Sequence, residues 1–235
     1  MDIDKLIESI KDTPYFPAIK RYSSTISVDD ALRVVRQIGM SRTPRFVIDD
    51  ENTFAYTNII RWYLGKSFKC INPTTKQLAD GRLDKGIYIA GNTGSGKSWC
   101  MEIINALANV LRNKISFSGD DDEADKMSLH IVRADDIVSD YQLTGNIERY
   151  KRASILTIQD LGQEQLEAMY MGNRLNVLKS IIEYRGDFAN KITCFTSNYP
   201  INHSQLCDMY GDRVASRLIE MCNYYEIKGS DRRKL

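Results

Sequence analysis

A chain of 235 residues with 43% hydrophobic content has enough apolar side chain for one large domain, or for one domain plus a small module. Its 32 basic and 31 acidic residues leave a net charge of +1, which excludes whole-chain electrostatic attraction to nucleic acid and leaves any DNA contact to a local patch. No apolar stretch reaches the length of a membrane span, and the opening MDIDKLIESIKD lacks the apolar centre of a signal peptide, so the expected location is the cytoplasm with no membrane partner.

Residues 1–45 read as a small helical module. Pro14 and Pro17 interrupt its first segment. Ser27-Val-Asp-Asp30 is a helix start, with Ser as the cap and acids in the first turn. Ala31, Val34, Val35 and Ile38 then share one face, up to an expected end at Gly39. Ser41-Arg-Thr-Pro44 reads as a linker. A second helix is predicted over 51–64, carrying Phe54, Ile59, Ile60 and Tyr63, and the polar stretch 66–84 reads as loop.

From residue 85 onward strands and helices alternate. The candidate strands are 86–90, 128–132, 154–158, 192–196 and 223–227, and helical patterns lie at 98–112, 134–143, 173–184 and 202–220. That alternation predicts an α/β fold: a three-layer domain over 46–235 with a parallel five-stranded sheet, covered by helices, with ligand at the carboxyl ends of the strands. The acidic run Ser118 to Glu123 reads as a solvated loop rather than a cation site. His130 reads as a packed strand residue. The cysteines Cys70, Cys100, Cys194, Cys207 and Cys222 form no C-x-x-C pair and read as reduced thiols.

The chemistry begins at Gly91-Asn92-Thr93-Gly94-Ser95-Gly96-Lys97-Ser98, which fills every fixed position of the phosphate-binding loop G-x-x-x-x-G-K-[ST]. An apolar strand precedes it and a helical pattern with Met101, Ile104, Leu107 and Leu111 follows. Gly91, Gly94 and Gly96 permit backbone angles that turn successive N–H groups inward, and the positive end of the next helix adds to the cradle. Lys97 is placed to neutralise the β- and γ-phosphates of ATP, and the Ser98 hydroxyl to ligate Mg²⁺. An ATPase also needs an acid on a neighbouring strand. The strand Ile155 to Ile158 ends in Gln159 and Asp160, which makes Asp160 the candidate for metal and water activation. The strand 192–196 ends near Asn198, a candidate for orienting water. Arg213 and Arg217 lie four apart on one helix face, and Arg232 follows the last strand; arginines of this kind stabilise charge on a transferring phosphoryl group.

These pieces, in this order, resemble the DnaC-like helicase loaders, a branch of the AAA+ ATPases that includes the IstB transposition helpers. The resemblance covers residues 50–235. It rests on GNTGSGKS, RADDIVSDYQLTG (133–145), ILTIQDLGQE (155–164), TSN (196–198), YGDRVASRL (210–218) and GSDRR (229–233). It implies that Asn198 is the sensor-1 residue and Arg232 the sensor-2 arginine. It implies that Arg217 is an arginine finger acting on ATP held by a neighbouring subunit, with Arg213 a lesser candidate. A finger used in this way implies self-association through the ATP interface. In one respect the chain departs from the pattern. Where the family shows two adjacent acids, this chain has Gln159-Asp160, so Gln159 stands at the Mg²⁺-binding acid and Asp160 at the water-activating acid. Slow hydrolysis follows as an expectation, with Asp160 either in its matched role or moved to the metal, and the base role then passing to Glu164 or to nothing.

The function implied is loading of a hexameric replicative helicase onto single-stranded DNA, with residues 1–45 as the partner-binding part. An IstB-like helper engaging duplex DNA and a transposase is the alternative. A small-molecule P-loop kinase fits less well, because the arginine cluster 213–233 lies after the last helix–strand unit. Basic residues beside aromatics at Arg61-Trp-Tyr63, Lys66-Ser-Phe-Lys69 and Arg149-Tyr-Lys-Arg152 are the candidate DNA contacts.

Overall fold

Strands that are apolar on both faces must sit between two covering layers. The computed structural model, which describes residues 2–12, 19–229 and 231–232, places them so. In chain order the described residues form α1 (Ile3–Asp12), β1 (Lys20–Arg21), α2 (Val28–Arg42), α3 (Thr53–Tyr63), β2 (Lys69–Ile71), β3 (Leu78–Asp80), β4 (Gly86–Ala90) and α4 (Lys97–Leu111). There follow β5 (Lys114–Ser116), β6 (Asp125–Lys126), β7 (His130–Arg133), α5 (Ala134–Thr144), α6 (Glu148–Arg152), β8 (Ile155–Leu161), β9 (Ala168–Tyr170) and β10 (Asn173–Leu175). The chain continues through α7 (Val177–Gly186), β11 (Ile192–Ser197), α8 (Ser204–Tyr210), α9 (Asp212–Met221) and β12 (Cys222–Glu226).

The main sheet runs β3-β2-β12-β4-β11-β8-β7. Its five strands from β12 to β7 are parallel, and they are the five expected from sequence. Side-chain alternation divides the core. Ile87 and Ile89 of β4, with Cys194 and Tyr225, face α2, α3 and α4, whereas Tyr88, Phe195 and Tyr224 face α5, α7 and α9.

Several elements differ from expectation. The sheet has seven strands, because 66–84 is not all loop: β2 and β3 add an antiparallel hairpin beside β12. Their polarity belongs to an exposed edge, and Asn72 Oδ1 organises the turn by accepting the Thr74 and Thr75 N–H groups. Helix α2 starts on its Ser27 cap as expected but runs through Gly39 to Arg42. Gly39 is there for packing, since a Cβ at that position would enter the Phe46 ring. The stretch 173–184 divides into β10 and then α7, capped by Asn176. The stretch 202–220 is two helices broken at Gly211, where φ is 87°. His130 is exposed on the edge strand β7, with one side of its ring against Tyr150. Pro14 and Pro17 lie outside the described residues. Residues 28–42, read as part of a separate module, share one core with α3 and α4 through Ala31 and Val35.

Arg185 holds the lower layer to the sheet. Fully buried on α7, it donates from Nε to Thr193 Oγ1 at 2.8 Å and from Nη2 to Ile192 O at 2.8 Å. Its Nη1 donates to the carbonyls of Tyr150, Lys151 and Ala153. Burial draws the guanidinium down to about 10, so it stays charged at neutral pH. Replacement by methionine keeps the length and orphans these acceptors. We expect a loss of about 3–5 kcal/mol of stability in urea unfolding; a loss below about 1 kcal/mol would remove Arg185 from this role.

Candidate functional site

The chain must turn from β4 into α4 over 91–96, and glycine makes that turn possible. Gly94 (φ 80°) and Gly96 (φ 97°) are left-handed, a region that side-chain-bearing residues avoid. Gly96 is also the N-cap of α4 and brings no capping side chain, so the first N–H groups of α4 are left for an external acceptor. A Cβ at Gly96 would meet only Arg232 Cδ, at 3.7 Å, so the space over the helix start is open. Beneath it, Ser95 Oγ is buried without a hydrogen-bond partner among the described residues.

Around this opening the structure gathers most of the residues named from sequence. Lys97 Nζ donates to Gly91 O (2.8 Å), Asn92 O (2.9 Å) and Asn198 Oδ1 (2.9 Å), which ties the loop to the end of β11. The Arg232 N–H donates to Gly94 O at 3.0 Å. The Arg232 guanidinium binds the Asp49 carboxylate through both terminal nitrogens, at 2.9 and 2.8 Å, and Glu51 at 3.1 Å. Those hydrogen bonds hold the Asp49 carboxyl below its ordinary value of 3.8. A carboxyl lowered in the folded state stabilises the fold above its unfolded value and loses that contribution as pH falls through the folded one. Asp49→Asn should therefore lower stability at neutral pH by about 1 kcal/mol at most, the pair being partly exposed. The difference from the parent should shrink as pH falls below the ordinary carboxylate value and vanish only below the lowered folded one. Melting curves at neutral pH and through the acid range test this; a difference that stays constant with pH would contradict it.

Gln159 and Asp160 are adjacent in sequence, and in a regular strand they would face opposite sides of the sheet. Both face the cavity because Asp160 leaves the strand conformation, at φ 58°, where the register between β8 and β11 also shifts. Asp tolerates this region better than most residues. The turn is held by the Asp160 N–H donating to Thr196 Oγ1 (3.1 Å) and the Gln163 N–H donating to Asp160 O (3.1 Å). Arg133 Nη2 lies 3.6 Å from the Asp160 carboxylate. Gln159 Nε2 donates to Ser98 O and to Glu102 Oε1, each at 3.4 Å.

Other assignments from sequence lie elsewhere. Glu164 is not on the cavity wall and cannot serve as a base there. It is buried, accepts the Gly162 N–H at 2.8 Å and the Tyr210 hydroxyl, and burial raises its carboxyl above the ordinary range. Arg217 pairs with Asp187 (2.6 Å) and Glu220 (2.9 Å), away from this cavity, and Arg213 pairs with Asp187 at 3.5 Å. The aromatics beside the basic residues are core: Trp62, Tyr63, Phe68 and Tyr150 are buried, so none offers a face to a base. Arg149, Lys151 and Arg152 each pair with Asp140 or Glu148. Sequence reasoning missed Arg42, Phe46, Tyr56, Trp99 and Glu102 on the cavity wall. Only Glu102, one turn after Ser98 on the same helix face, left a signal that spacing could have found.

The cavity measures about 850 Å³. The open helix start, the orphaned Ser95 hydroxyl and Lys97 fit a polyphosphate; Phe46, Val47, Tyr56 and Trp99 give the rest of the wall flat apolar surface. For a metal ion the wall offers the oxygens of Ser98, Asp160, Gln159 and Glu102, donors of the hard-cation type. Among the described residues no group of three or more His, Cys, Asp or Glu forms a metal site by itself. The set therefore fits a Mg²⁺ that takes much of its shell from phosphate and water.

No protein-family profile matches the chain, and no curated protein sequence does. Among solved structures it is similar to a candidate primosome component from Streptococcus pyogenes serotype M3. Identity is 20% over 79% of this chain and 84% of that one, with a TM-score of 0.50. What the two share is the fold, a three-layer α/β domain with a mostly parallel sheet. The DnaC helicase loader aligns at 16% identity, over 78% of this chain and 93% of that one, with a TM-score of 0.46. AMPPCP-bound DnaA from Aquifex aeolicus aligns at 18% identity over 80% of this chain, with a TM-score of 0.45; the chain spans 50% of that protein. Among the described residues no helix is long and apolar enough to cross a membrane.

Proposed function

We propose that this chain is an ATP-binding AAA+ adaptor that loads a hexameric replicative helicase onto single-stranded DNA. The observation that carries the reading is one cavity in which the α4 start, Lys97, Asn198, Asp160 and Arg232 converge, within a chain whose motif order resembles the DnaC-like loaders. Mg-ATP, when bound, supplies a phosphoanhydride whose presence or cleavage sets the conformational state. The α4 start and Lys97 hold the phosphates, and Asn198 couples Lys97 to the end of β11.

The wall opposite the phosphate loop gives the adaptor its reach. Thr43, Arg45, Phe46, Val47 and Asn52 line the cavity and belong to the segment that joins α2 to α3. Arg232 is tied to Asp49 in that same segment. A nucleotide there touches the segment directly, and the change passes into α2, which belongs to residues 1–45, the proposed partner-binding part. Arg217 and Arg213 lie on another face, available to the cavity of a neighbouring subunit, and self-association through that interface is part of the proposal.

The test is light scattering of this protein with the replicative helicase of its host or element, with and without ATP. A co-eluting complex whose mass or lifetime changes with nucleotide supports the reading. No complex in either state, with ATP instead driving assembly on duplex DNA, replaces it with the transposition-helper function.

A further inference from the structure

The strand end that faces Ser98 carries an amide, and the carboxylate beside it comes from a helix. Gln159 is buried against α4, with its Nε2 held by Ser98 O and Glu102 Oε1. An amide nitrogen engaged by two acceptors fixes the orientation of the group and leaves Gln159 Oε1 as the atom able to accept from, or ligate, a cation. Glu102 lies on the same face of α4 as Ser98, one turn on, and lines the same cavity. Its other oxygen pairs with Arg42, which stacks on the Trp99 ring with its guanidinium carbon 4.9 Å from the centroid.

We infer that Glu102 supplies the negative charge of the metal shell that Gln159 lacks, and that it orients the Gln159 amide so that its oxygen faces the ion. The inference rests on the nucleotide-site reading above. Gln159 contributes an oxygen without charge, and a divalent ion against a triphosphate is held by charge as well as by oxygen. Glu102 restores that charge one residue-width away, through the amide it holds. The Arg42 pair does not oppose this: Arg42 is half exposed, and a partly exposed pair is held weakly enough to give way to a divalent ion.

Binding of Mn²⁺, followed by electron paramagnetic resonance with ADP at saturation on the full chain, tests the inference without reference to turnover. Glu102→Gln keeps the shape and should weaken Mn²⁺ by roughly tenfold or more, the range for a residue acting behind a metal ligand. Affinity for ADP in the presence of a chelator should stay within about threefold of the parent, since the metal is then out of play. Adding Gln159→Asp to Glu102→Gln should return most of the lost Mn²⁺ affinity by putting the charge back on the strand. Arg42→Gln breaks the same ion pair from the other side, so it should leave Mn²⁺ affinity unchanged or raise it. A merely structural pair would weaken the metal in both single variants. Unchanged Mn²⁺ affinity in Glu102→Gln, or no recovery in the double variant, overturns the inference while leaving the nucleotide site standing. Failure of the parent protein to bind ADP with or without metal overturns the nucleotide reading itself, and this inference with it.

Discussion

Replacing Lys97 by alanine should remove nucleotide binding while leaving the protein folded. Lys97 is 5% exposed, and its ammonium donates to three acceptors, two of them loop carbonyls and the third the Asn198 side chain. It is therefore fixed before any phosphate arrives, and little conformational entropy is left to lose on binding. A charge-assisted contact of this kind is worth about 3 kcal/mol, roughly a hundredfold in Kd. Of the three acceptors Asn198 lines the cavity, where water can replace the lost donor, so folding should survive at a modest cost in stability. Titration calorimetry with ADP and ATP, beside a melting curve, gives the answer. A Kd within about threefold of the parent would mean that the Gly91–Ser98 loop does not bind phosphate as its geometry indicates.

The positions where sequence and structure agree are those where one physical rule acts alone. Ile87 to Ala90, Ile155 to Ile158 and Ile192 to Thr196 are strands buried on both faces, so continuous apolarity marks them. The phosphate loop is legible because a left-handed turn into a helix start demands glycine at fixed spacing. The hairpin of β2 and β3 is not legible because short strands with exposed side chains, such as Lys69 and Leu78, carry no apolar run. Gly39 misled because a glycine chosen for contact with Phe46 looks the same as one chosen to end a helix. Asp160 shows a deeper limit. Period-two alternation would turn it away from Gln159, and only the left-handed turn, invisible in a residue name, brings both to one wall. The basic-aromatic runs present no stacking faces, because pattern alone does not say which way Trp62 or Tyr63 points. Arg185 was silent in the motifs, yet it falls three, four and seven residues after the buried Ile182, Ile181 and Leu178; a charge at that position on an apolar face is itself a signal of a buried network.

Arg217 provides the second large effect, and a mixing experiment separates its two possible sites of action. In the single chain it lies over Gly186, between Asp187 and Glu220, on a face that does not contribute to the cavity. An arginine finger that stabilises charge on the transferring phosphoryl group contributes about a thousandfold or more to turnover. Arg217→Ala should therefore lose nearly all ATPase activity yet keep nucleotide affinity within about threefold, because the arginine acts on the transition state rather than on ground-state binding. Lys97→Ala should be inactive for the opposite reason, with an intact finger and no bound nucleotide. Equimolar mixing of the two inactive proteins should restore activity at about a quarter of the interfaces, since a head-to-tail contact pairs the Arg217→Ala cavity with the Lys97→Ala finger at that frequency. If Arg217 served its own cavity, no pairing of the two chains would assemble a complete site, and the mixture would stay inactive at every ratio. Recovery scaling with the product of the two mole fractions places the active site between subunits; a flat, inactive mixture removes Arg217 from the transfer step in trans and leaves Arg213, on the same helix face and also paired with Asp187, as the next residue to exchange.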